Sequence, residues 1–181
     1  MHASVIKTLK SDNPAITAES VAIWASEQIA PLISDNRSDQ VIGIYLATGD
    51  IGAKISITFW ADALESGLAF ANPAAFPGTL ASSCATKIAE KLCITGPNYT
   101  LVGGGEASQQ IIQHAMYDIN GQQVDSALII GIDITPYPAL GFMMLGRDEG
   151  VGLLTSDKIR PCTAQTLASI AVWTLIDQLS E

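Results

Sequence analysis

Three consecutive glycines followed by an acid, Gly103-Gly104-Gly105-Glu106, lie between a predicted strand and a predicted helix. A chain places glycines together where the backbone needs a positive φ or a very close approach, and two kinds of functional site use such a turn. One is a phosphate cradle at a helix N-terminus. However, no Gly-Lys-Ser/Thr or G-x-G-x-x-G pattern follows, and Glu106 would put negative charge at its mouth. The other is a nucleophile elbow, which needs Ser or Cys at its apex. Residue content alone therefore favours a tight structural turn, with Glu106 at the positive end of the helix dipole.

The next candidates lie on the helix after these glycines and at the end of a later strand. Glu106, Ser108 and His114 share one predicted helix and could form a new acyl-thioester site. A single histidine among apolar neighbours, however, is more often packed or surface-lying than catalytic. Asp133 follows the apolar segment ALIIGI, at the carboxyl end of a predicted sheet strand, where α/β proteins often gather functional groups. We interpret Asp133 as a turn or cap residue.

The cysteines and the lysines give no clear site. Cys84, Cys93 and Cys162 form neither an even disulfide framework nor a C-x-x-C pair. Cys84 and Cys93 fall on a mostly apolar helical stretch, and we interpret both as small core residues. Lys87 and Lys91, one helical turn apart, could form a small basic spot, but the acid next to Lys91 is typical of a solvated face. We expect a reduced, cytoplasmic protein with no structural metal and no cofactor.

Short apolar segments that alternate with amphipathic ones must position these residues. They predict strands over 41–47, 99–103, 127–132, 140–145 and 151–154, and helices over 18–33, 53–66, 82–93, 106–119 and 163–179. This alternation predicts an α/β domain with three layers, αβα, around a mixed five-stranded sheet. We expect the first three strands to be parallel and the last two to form an antiparallel hairpin, with Asp148 and Glu149 in its solvated turn. No repeat or linker divides the chain, so residues 1–181 are predicted to form a single domain.

Composition excludes several classes of protein. The 181 residues are 48% hydrophobic and only 15% charged, which is typical of a globular chain with a large apolar interior. The net charge of −9 repels a phosphate backbone, so we expect no nucleic-acid partner. No apolar stretch reaches about 18 residues, so we expect no membrane span. The charged N-terminal segment also lacks the apolar stretch of a signal peptide.

One continuous segment resembles a known family. Residues 72–115 contain Asn72-Pro73, Phe76-Pro77, a predicted helix, then Ile94-Thr95-Gly96-Pro97-Asn98-Tyr99-Thr100, a strand and the glycine turn. In this order they resemble the β-ketoacyl synthases of fatty-acid and polyketide synthesis, within the thiolase superfamily. The helix end and strand over 121–133 and the hairpin over 146–154 extend the resemblance to roughly residues 40–156. It implies that the three-layer domain is a thiolase-like half-domain.

Departures from the family pattern change what the resemblance implies. The position of the family's nucleophilic cysteine falls on Gly105, and without a thiolate no acyl group can be accepted. The family's two active-site histidines belong to a C-terminal half that this sequence does not contain, and His114 matches neither. The chain is therefore most similar to chain length factors, synthase-like partners that lack the cysteine. We expect a catalytically inactive, half-sized subunit that assists fatty-acid- or polyketide-type synthesis. A self-associating scaffold outside that pathway and an enzyme with a new site remain alternatives.

The resemblance also implies association. The family dimerises about a two-fold axis along the strand before the elbow, here Tyr99, Thr100, Leu101 and Val102. A lone half would in addition leave an apolar face that another subunit covers, with the helix over 163–179 covering part of it. We therefore predict a homo-oligomer, first of all a homodimer, and a full-length ketosynthase as a possible partner. Acyl carrier proteins are acidic, so at −9 we expect at most weak binding to one.

Overall fold

The structure, a computed structural model, describes residues 2–18, 20–33, 39–136, 138–147, 152–159 and 166–179. Its strands are β1 His2–Asp12, β2 Ile42–Thr48, β3 Asn98–Val102, β4 Ser126–Asp133, β5 Ala139–Gly146 and β6 Gly152–Thr155. Its α-helices are α1 Val21–Ile33, α2 Ala53–Ser66, α3 Ser82–Lys91, α4 Gly104–Asn120 and α5 Ala168–Leu179. Short 3₁₀ turns lie at Leu68–Phe70, Phe76–Thr79 and Ser156–Lys158. The mixed α/β class predicted from the sequence is confirmed.

One mixed sheet runs through the molecule in the order β3-β2-β4-β5-β1-β6. As predicted, β2 is parallel to both β3 and β4. β5 is antiparallel to β4, and β1 is antiparallel to both β5 and β6. Strands β2, β4 and β5 carry almost entirely buried side chains, as expected for strands covered on both faces.

Two details of the predicted sheet are wrong. The sheet has six strands, because the N-terminal segment forms β1 and inserts between β5 and β6. The predicted last-two-strand hairpin therefore does not form: β5 and β6 each pair with β1 and run in the same direction. The sequence analysis missed β1 because the segment contains Lys7 and Lys10 and is not a continuous apolar run. Only Ala3 and Val5 show the alternation of buried residues that is typical of a strand. The turn acids Asp148 and Glu149 lie outside the described residues.

Helices cover both faces of the sheet and complete the three layers. α4 and α5 pack on one face, around a cluster that includes Tyr45, Ile129 and Met143. α1 and α3 pack on the other face, around Ile44 and Phe142. Within the described residues, no helix is long and apolar enough to cross a membrane.

The surface of the layer formed by α4 and α5 bears on the predicted uncovered apolar face. The outer side of α4 is polar and exposed, with Glu106, Gln110, Gln113, His114 and Tyr117 facing outward. Beside it, α5 packs on β4 and β5 and covers the rest of that sheet face. Helix α5 therefore covers part of the sheet face that a lone half was expected to expose, as predicted for the last helix.

Exposed apolar side chains instead concentrate in residues 53–80, which we call the arm. Helix α2 buries only Ala63 and packs mainly against the 3₁₀ turns that follow it. Seven large apolar side chains of the arm are between 47% and 79% exposed: Ile57, Trp60, Leu64, Leu68, Phe70, Phe76 and Leu80. Its three exposed aromatic rings alone leave roughly 300–450 Å² of apolar surface open to water. The arm is therefore the part of the described structure where exposed large apolar side chains are most concentrated.

Candidate functional site

The glycine turn forms a sharp junction between the end of β3 and the start of α4. Gly104 adopts φ 59°, in the left-handed region, and Gly103 adopts φ 154°. The Gly103 N–H donates to the Thr48 carbonyl oxygen at 2.9 Å, which fixes the turn to the end of β2. The left-handed residue is thus one position before the predicted apex, Gly105. The junction has the strand–turn–helix shape of a nucleophile elbow. Because Gly104 and Gly105 are both glycines, it contains no nucleophile.

One backbone donor and one side-chain donor near the start of α4 are bonded within the chain. The N–H of Gly105 donates to the Thr166 carbonyl oxygen at 2.7 Å. One turn further along, Ser108 Oγ donates to the Ala168 carbonyl oxygen at 3.1 Å. In an acyl-transfer elbow, backbone N–H groups at this place would bind the developing oxyanion. Here, residues 166–168 fill that position with their own carbonyl groups.

Asp133 anchors the N-terminus of α5 beside this junction. Its side chain is fully buried, with Oδ2 accepting from the N–H of Ser169 at 2.7 Å and from Ser169 Oγ at 2.8 Å. Oδ1 accepts from the N–H of Gly49 at 2.8 Å. Burial raises the pKa of Asp133, these hydrogen bonds lower it in part, and the nearby Asp50 carboxylate raises it further. The interpretation of Asp133 as a cap residue is confirmed.

A second carboxylate completes a reciprocal link between two loops. Asp50, just after β2, accepts from the N–H groups of Ile134 and Thr135 at 2.8 and 2.7 Å. Asp133, at the end of β4, accepts from the loop after β2. The aspartate after β2 therefore bonds to the loop after β4, and the aspartate at the end of β4 bonds to the loop after β2. Sequence reasoning missed Asp50, although both strands end in an aspartate within about three residues of the last apolar side chain.

The alternative site of Glu106, Ser108 and His114 is not assembled. His114 follows Ser108 by six positions, which leaves the two side chains about 120° apart around the helix. Ser108 is buried and bonded, whereas Glu106 and His114 are exposed. His114 instead contacts the ring of Tyr99, with 4.4 Å between ring centroids. The expectation that a new acyl-thioester site could form from these three residues is wrong.

The two described cysteines lie in different environments. Cys84 is buried, and burial raises the pKa of its thiol to about 12, so it holds no thiolate at neutral pH. Cys93 is exposed, so its interpretation as a core residue is wrong: it follows the C-terminus of α3 with φ 54°. Cys162 lies outside the described residues. Among the residues that the structure describes, no three His, Cys, Asp or Glu side chains lie together as a metal site would require.

The edge of the sheet at β3 is open. The N–H of Ile44 donates to the carbonyl of Pro97, and the N–H of Gly103 donates to that of Thr48. In a parallel ladder this register turns the N–H and C=O groups of Asn98, Thr100 and Val102 away from β2. These outward backbone groups have no neighbouring strand within the described residues, because β3 is the last strand of the sheet.

The predicted interface residues lie on this edge, which has none of the usual protection against strand pairing. Tyr99 is 40% and Val102 is 64% exposed, whereas Leu101 packs inward against the α4 side of the core. The strand carries no charged residue. At the opposite edge, Lys158 Nζ donates to the Leu153 carbonyl oxygen of β6 at 2.9 Å. The two edges therefore differ within the described residues: a carbonyl of β6 accepts from a lysine, whereas β3 has no charged residue beside its outward backbone groups.

Comparison with known proteins gives the fold. No protein-family model matches the sequence, and no curated protein sequence matches it. Solved structures do match, with TM-scores between 0.54 and 0.59. The ishigamide ketosynthase/chain length factor matches with 14% identity and TM-score 0.57, over 71% of this chain and 42% of that chain. A beta-ketoacyl synthase from Burkholderia phymatum matches with 14% identity and TM-score 0.57, over 70% and 41%.

A third structure differs in its coverage. It is a ketosynthase, ApeO, in complex with its chain length factor, ApeC, from Xenorhabdus doucetiae, and it matches with 12% identity and TM-score 0.59. The match covers 83% of this chain and 81% of that chain, so the two chains have nearly the same length. By contrast, this chain spans about four-tenths to half the length of the first four structures. The chain has the thiolase-like fold of ketosynthases and chain length factors.

Proposed function

We propose that the protein is a catalytically inactive, chain length factor-like subunit that assists fatty-acid- or polyketide-type synthesis by binding a ketosynthase in the cytoplasm. The main support for this proposal is that the glycine turn between β3 and α4 contains no nucleophile. Its glycines provide no nucleophile, and the Gly105 N–H, a donor that an acyl-transfer site would need, is bonded to Thr166. The subunit would act through its surface and not through bond formation.

The matched structures support this role. The matched chain from the ApeO–ApeC complex is of nearly the same length, and that complex consists of a ketosynthase and its chain length factor. Other matched structures include a ketosynthase/chain length factor and a type II polyketide synthase ketosynthase with its acyl carrier protein. A half-sized thiolase-fold chain is therefore compatible with a place inside such an assembly.

The β3 edge is the part of the molecule that we assign to this contact. Its outward backbone groups can extend the sheet into a second thiolase-fold subunit, and the exposed arm supplies apolar surface. When no ketosynthase is present, the same edge would pair with a second copy of this chain about a two-fold axis. Direct binding to an acyl carrier protein would be weak, because the net charge of −9 repels another acidic protein.

Co-expression tests the proposal. The chain, carrying a tag, is produced with each ketosynthase of its source genome, purified, and weighed by native mass spectrometry. We expect a stable one-to-one complex with one ketosynthase, and loss of that complex when Thr100 is replaced by proline. A chain that forms only homodimers in the presence of every ketosynthase would instead support the self-associating scaffold. A chain that forms an acyl adduct and turns over an acyl thioester would refute the inactive role.

A further inference from the structure

Helix α2 presents three different faces, and the fold of the single chain accounts for one of them. The inner face packs on the turns that follow the helix: Ser56 Oγ donates to the Thr79 carbonyl oxygen at 3.2 Å. On the same face, the Phe59 and Phe76 rings meet edge-on with 5.9 Å between centroids. The second face is polar and exposed, and it consists of Lys54, Thr58, Asp62 and Glu65. The third face is apolar and exposed, and we call its residues the α2 stripe: Ile57, Trp60, Ala61 and Leu64.

The α2 stripe has the pattern of a helix face that packs against another element. Its side chains lie within an arc of about 100° around the helix, the width of the apolar face that a surface helix usually turns to the core. Here that face is turned to water, with Ile57 72%, Trp60 53% and Leu64 73% exposed. Ala61, in the middle of the stripe, is small and lets a second helix approach closely.

The surroundings of the stripe suit a second copy of this chain. Residues 53–80 contain only three charged residues, Lys54, Asp62 and Glu65, so they carry −1 of the total charge of −9. The arm is thus a nearly neutral surface on an acidic chain, where a second acidic chain meets little repulsion. Its seven exposed large apolar side chains offer roughly 450–750 Å² per copy, so two arms that cover each other bury about 900–1,500 Å². This area reaches the range of stable interfaces, about 1,200–2,000 Å².

The charges beside the stripe fix the orientation of such a pair. Lys54 lies in the first turn of α2, whereas Asp62 and Glu65 lie towards its end. A two-fold axis perpendicular to the helices makes them antiparallel and keeps both polar faces on the same side of the contact. Lys54 and Glu65 lie about 10 and 7 Å along the helix from the middle of the stripe, in opposite directions. Each Lys54 therefore comes beside Glu65 of the second copy. A parallel pair has its polar faces on opposite sides, lacks these contacts and aligns the two helix dipoles unfavourably.

We infer that the α2 stripe is a self-association surface, at which two copies of this chain pair through antiparallel α2 helices. This contact is separate from the sheet pairing at β3 and does not rest on the proposed function. Each of the two contacts has its own two-fold axis, so a chain that uses both forms assemblies larger than a dimer. The proposed ketosynthase contact also draws on the arm, and the experiment therefore includes that occupant.

Sedimentation equilibrium of the full chain carrying Thr100→Pro tests the inference, because this substitution weakens pairing at β3 and leaves α2 unchanged. We expect a dimer with a Kd between about 1 and about 100 μM. Leu64→Glu in this chain buries a carboxylate in the apolar contact of both copies and should raise the Kd roughly tenfold or more. The matched control is Ile23→Glu, the same kind of change at an exposed position of α1, which should leave the Kd within about twofold. Circular dichroism checks that both variants fold.

Charge reversal tests the orientation of the pair. Lys54→Glu and Glu65→Lys each replace two attractive contacts per dimer with repulsive ones, and each should raise the Kd roughly 2- to 30-fold. Both substitutions favour the α2 dipole, and they move the net charge in opposite directions, so neither helix stability nor net charge explains a shared loss of affinity. The variant with both substitutions restores the pairs and should return the Kd to within about threefold of that of Thr100→Pro.

Three outcomes would overturn the inference. A Thr100→Pro chain that is monomeric at about 200 μM, or whose dimer is unaffected by Leu64→Glu, does not pair through the stripe, and the proposed ketosynthase contact at β3 still stands. Failure of the double charge variant to restore the Kd rules out the antiparallel pair. Loss of ketosynthase co-purification in Leu64→Glu, with self-association unchanged, assigns the stripe to the ketosynthase instead.

Discussion

Replacing Thr100 with proline is the sharpest test of the β3 edge. The N–H of Thr100 points away from β2, so it is not needed for the sheet of the single chain. Proline lacks this N–H, and an edge strand tolerates proline at a position where the N–H faces solvent. The single chain should therefore stay folded, whereas any strand that pairs with β3 loses a hydrogen bond at its centre.

The expected loss of affinity follows from the two-fold axis. Each copy contributes one Thr100 N–H, so the substitution removes two hydrogen bonds per dimer. At about 0.5–1.5 kcal/mol each, the dimer loses about 1–3 kcal/mol. This loss raises the dimer Kd roughly 5- to 150-fold. The proline ring also approaches the facing strand, which adds to the loss.

Thr100→Val is the matched control. Valine keeps the backbone N–H and the shape of the side chain, and it removes a buried hydroxyl that has no hydrogen-bond partner among the described residues. The Kd should stay within about twofold of the wild type, and the free energy of unfolding should rise by about 1 kcal/mol. Light scattering and sedimentation give the Kd, and circular dichroism checks the fold. A folded Thr100→Pro chain with wild-type Kd would show that the contact does not use β3.

Three further outcomes are expected at the elbow and around α5. Gly105→Cys should give no acyl adduct by intact mass after incubation with an acyl thioester, because the N–H of residue 105 is bonded to the Thr166 carbonyl oxygen and cannot bind an oxyanion. A stoichiometric adduct on the introduced cysteine would show that this bond does not prevent acyl transfer. Asp133→Asn should lower the free energy of unfolding by about 1–3 kcal/mol, because an amide cannot accept from all three donors. Since burial raises the pKa of Asp133, the native state binds this proton more tightly than the unfolded chain. The Asp133 contribution therefore weakens as pH rises above about 3.9, and urea unfolding of Asp133→Asn should lack that part of the pH dependence. Gly131→Ala should lower the free energy of unfolding by about 2 kcal/mol or more, because its Cβ would collide with the Ala168 carbonyl oxygen; an unchanged melting temperature would contradict the close seating of α5.

Much of the fold was predictable because its central strands are short, continuous apolar segments. Buried strands such as β2 and β4 lack polar alternation and end at turn residues, which distinguishes them in the sequence. β1 was missed for the opposite reason. It is long and mixed, with Lys7 half-buried and Lys10 exposed, and it pairs with β5 and β6 from residues as distant in sequence as His2 and Thr155. Pairing between residues so far apart leaves no local pattern in the sequence. The sequence analysis therefore paired β5 with β6, which follow each other in the chain.

The candidate site also contains both features that local sequence indicates and contacts between distant residues that it does not indicate. The glycine junction follows from local sequence, since a strand end, glycines and a helix start are adjacent there, whereas the helix that Asp133 caps begins 35 residues after it, at Ala168. The bond from Gly105 to Thr166 spans 61 residues, and nothing near either residue indicates it. The hydrogen bond from the buried Tyr45 hydroxyl to Asp118 was hidden as well, because Tyr45 lies inside an apolar strand and looks like one more core residue.

The position of α5 explains how a half-sized thiolase-like fold can bury its sheet. Two strands meet α5 with a glycine, Gly131 on β4 and Gly141 on β5, and a Cβ at either would collide with the backbone of Ala168 or Ser169. The first turn of α5 therefore lies directly on the sheet, where Asp133 bonds to Ser169. With α5 in that place, α4 can present polar side chains to water. Among the described residues, the large apolar side chains that remain exposed are concentrated on the arm, with Tyr99 and Val102 on β3 and single residues elsewhere, so the arm and the β3 edge offer a partner subunit more apolar surface than the outer side of α4 does.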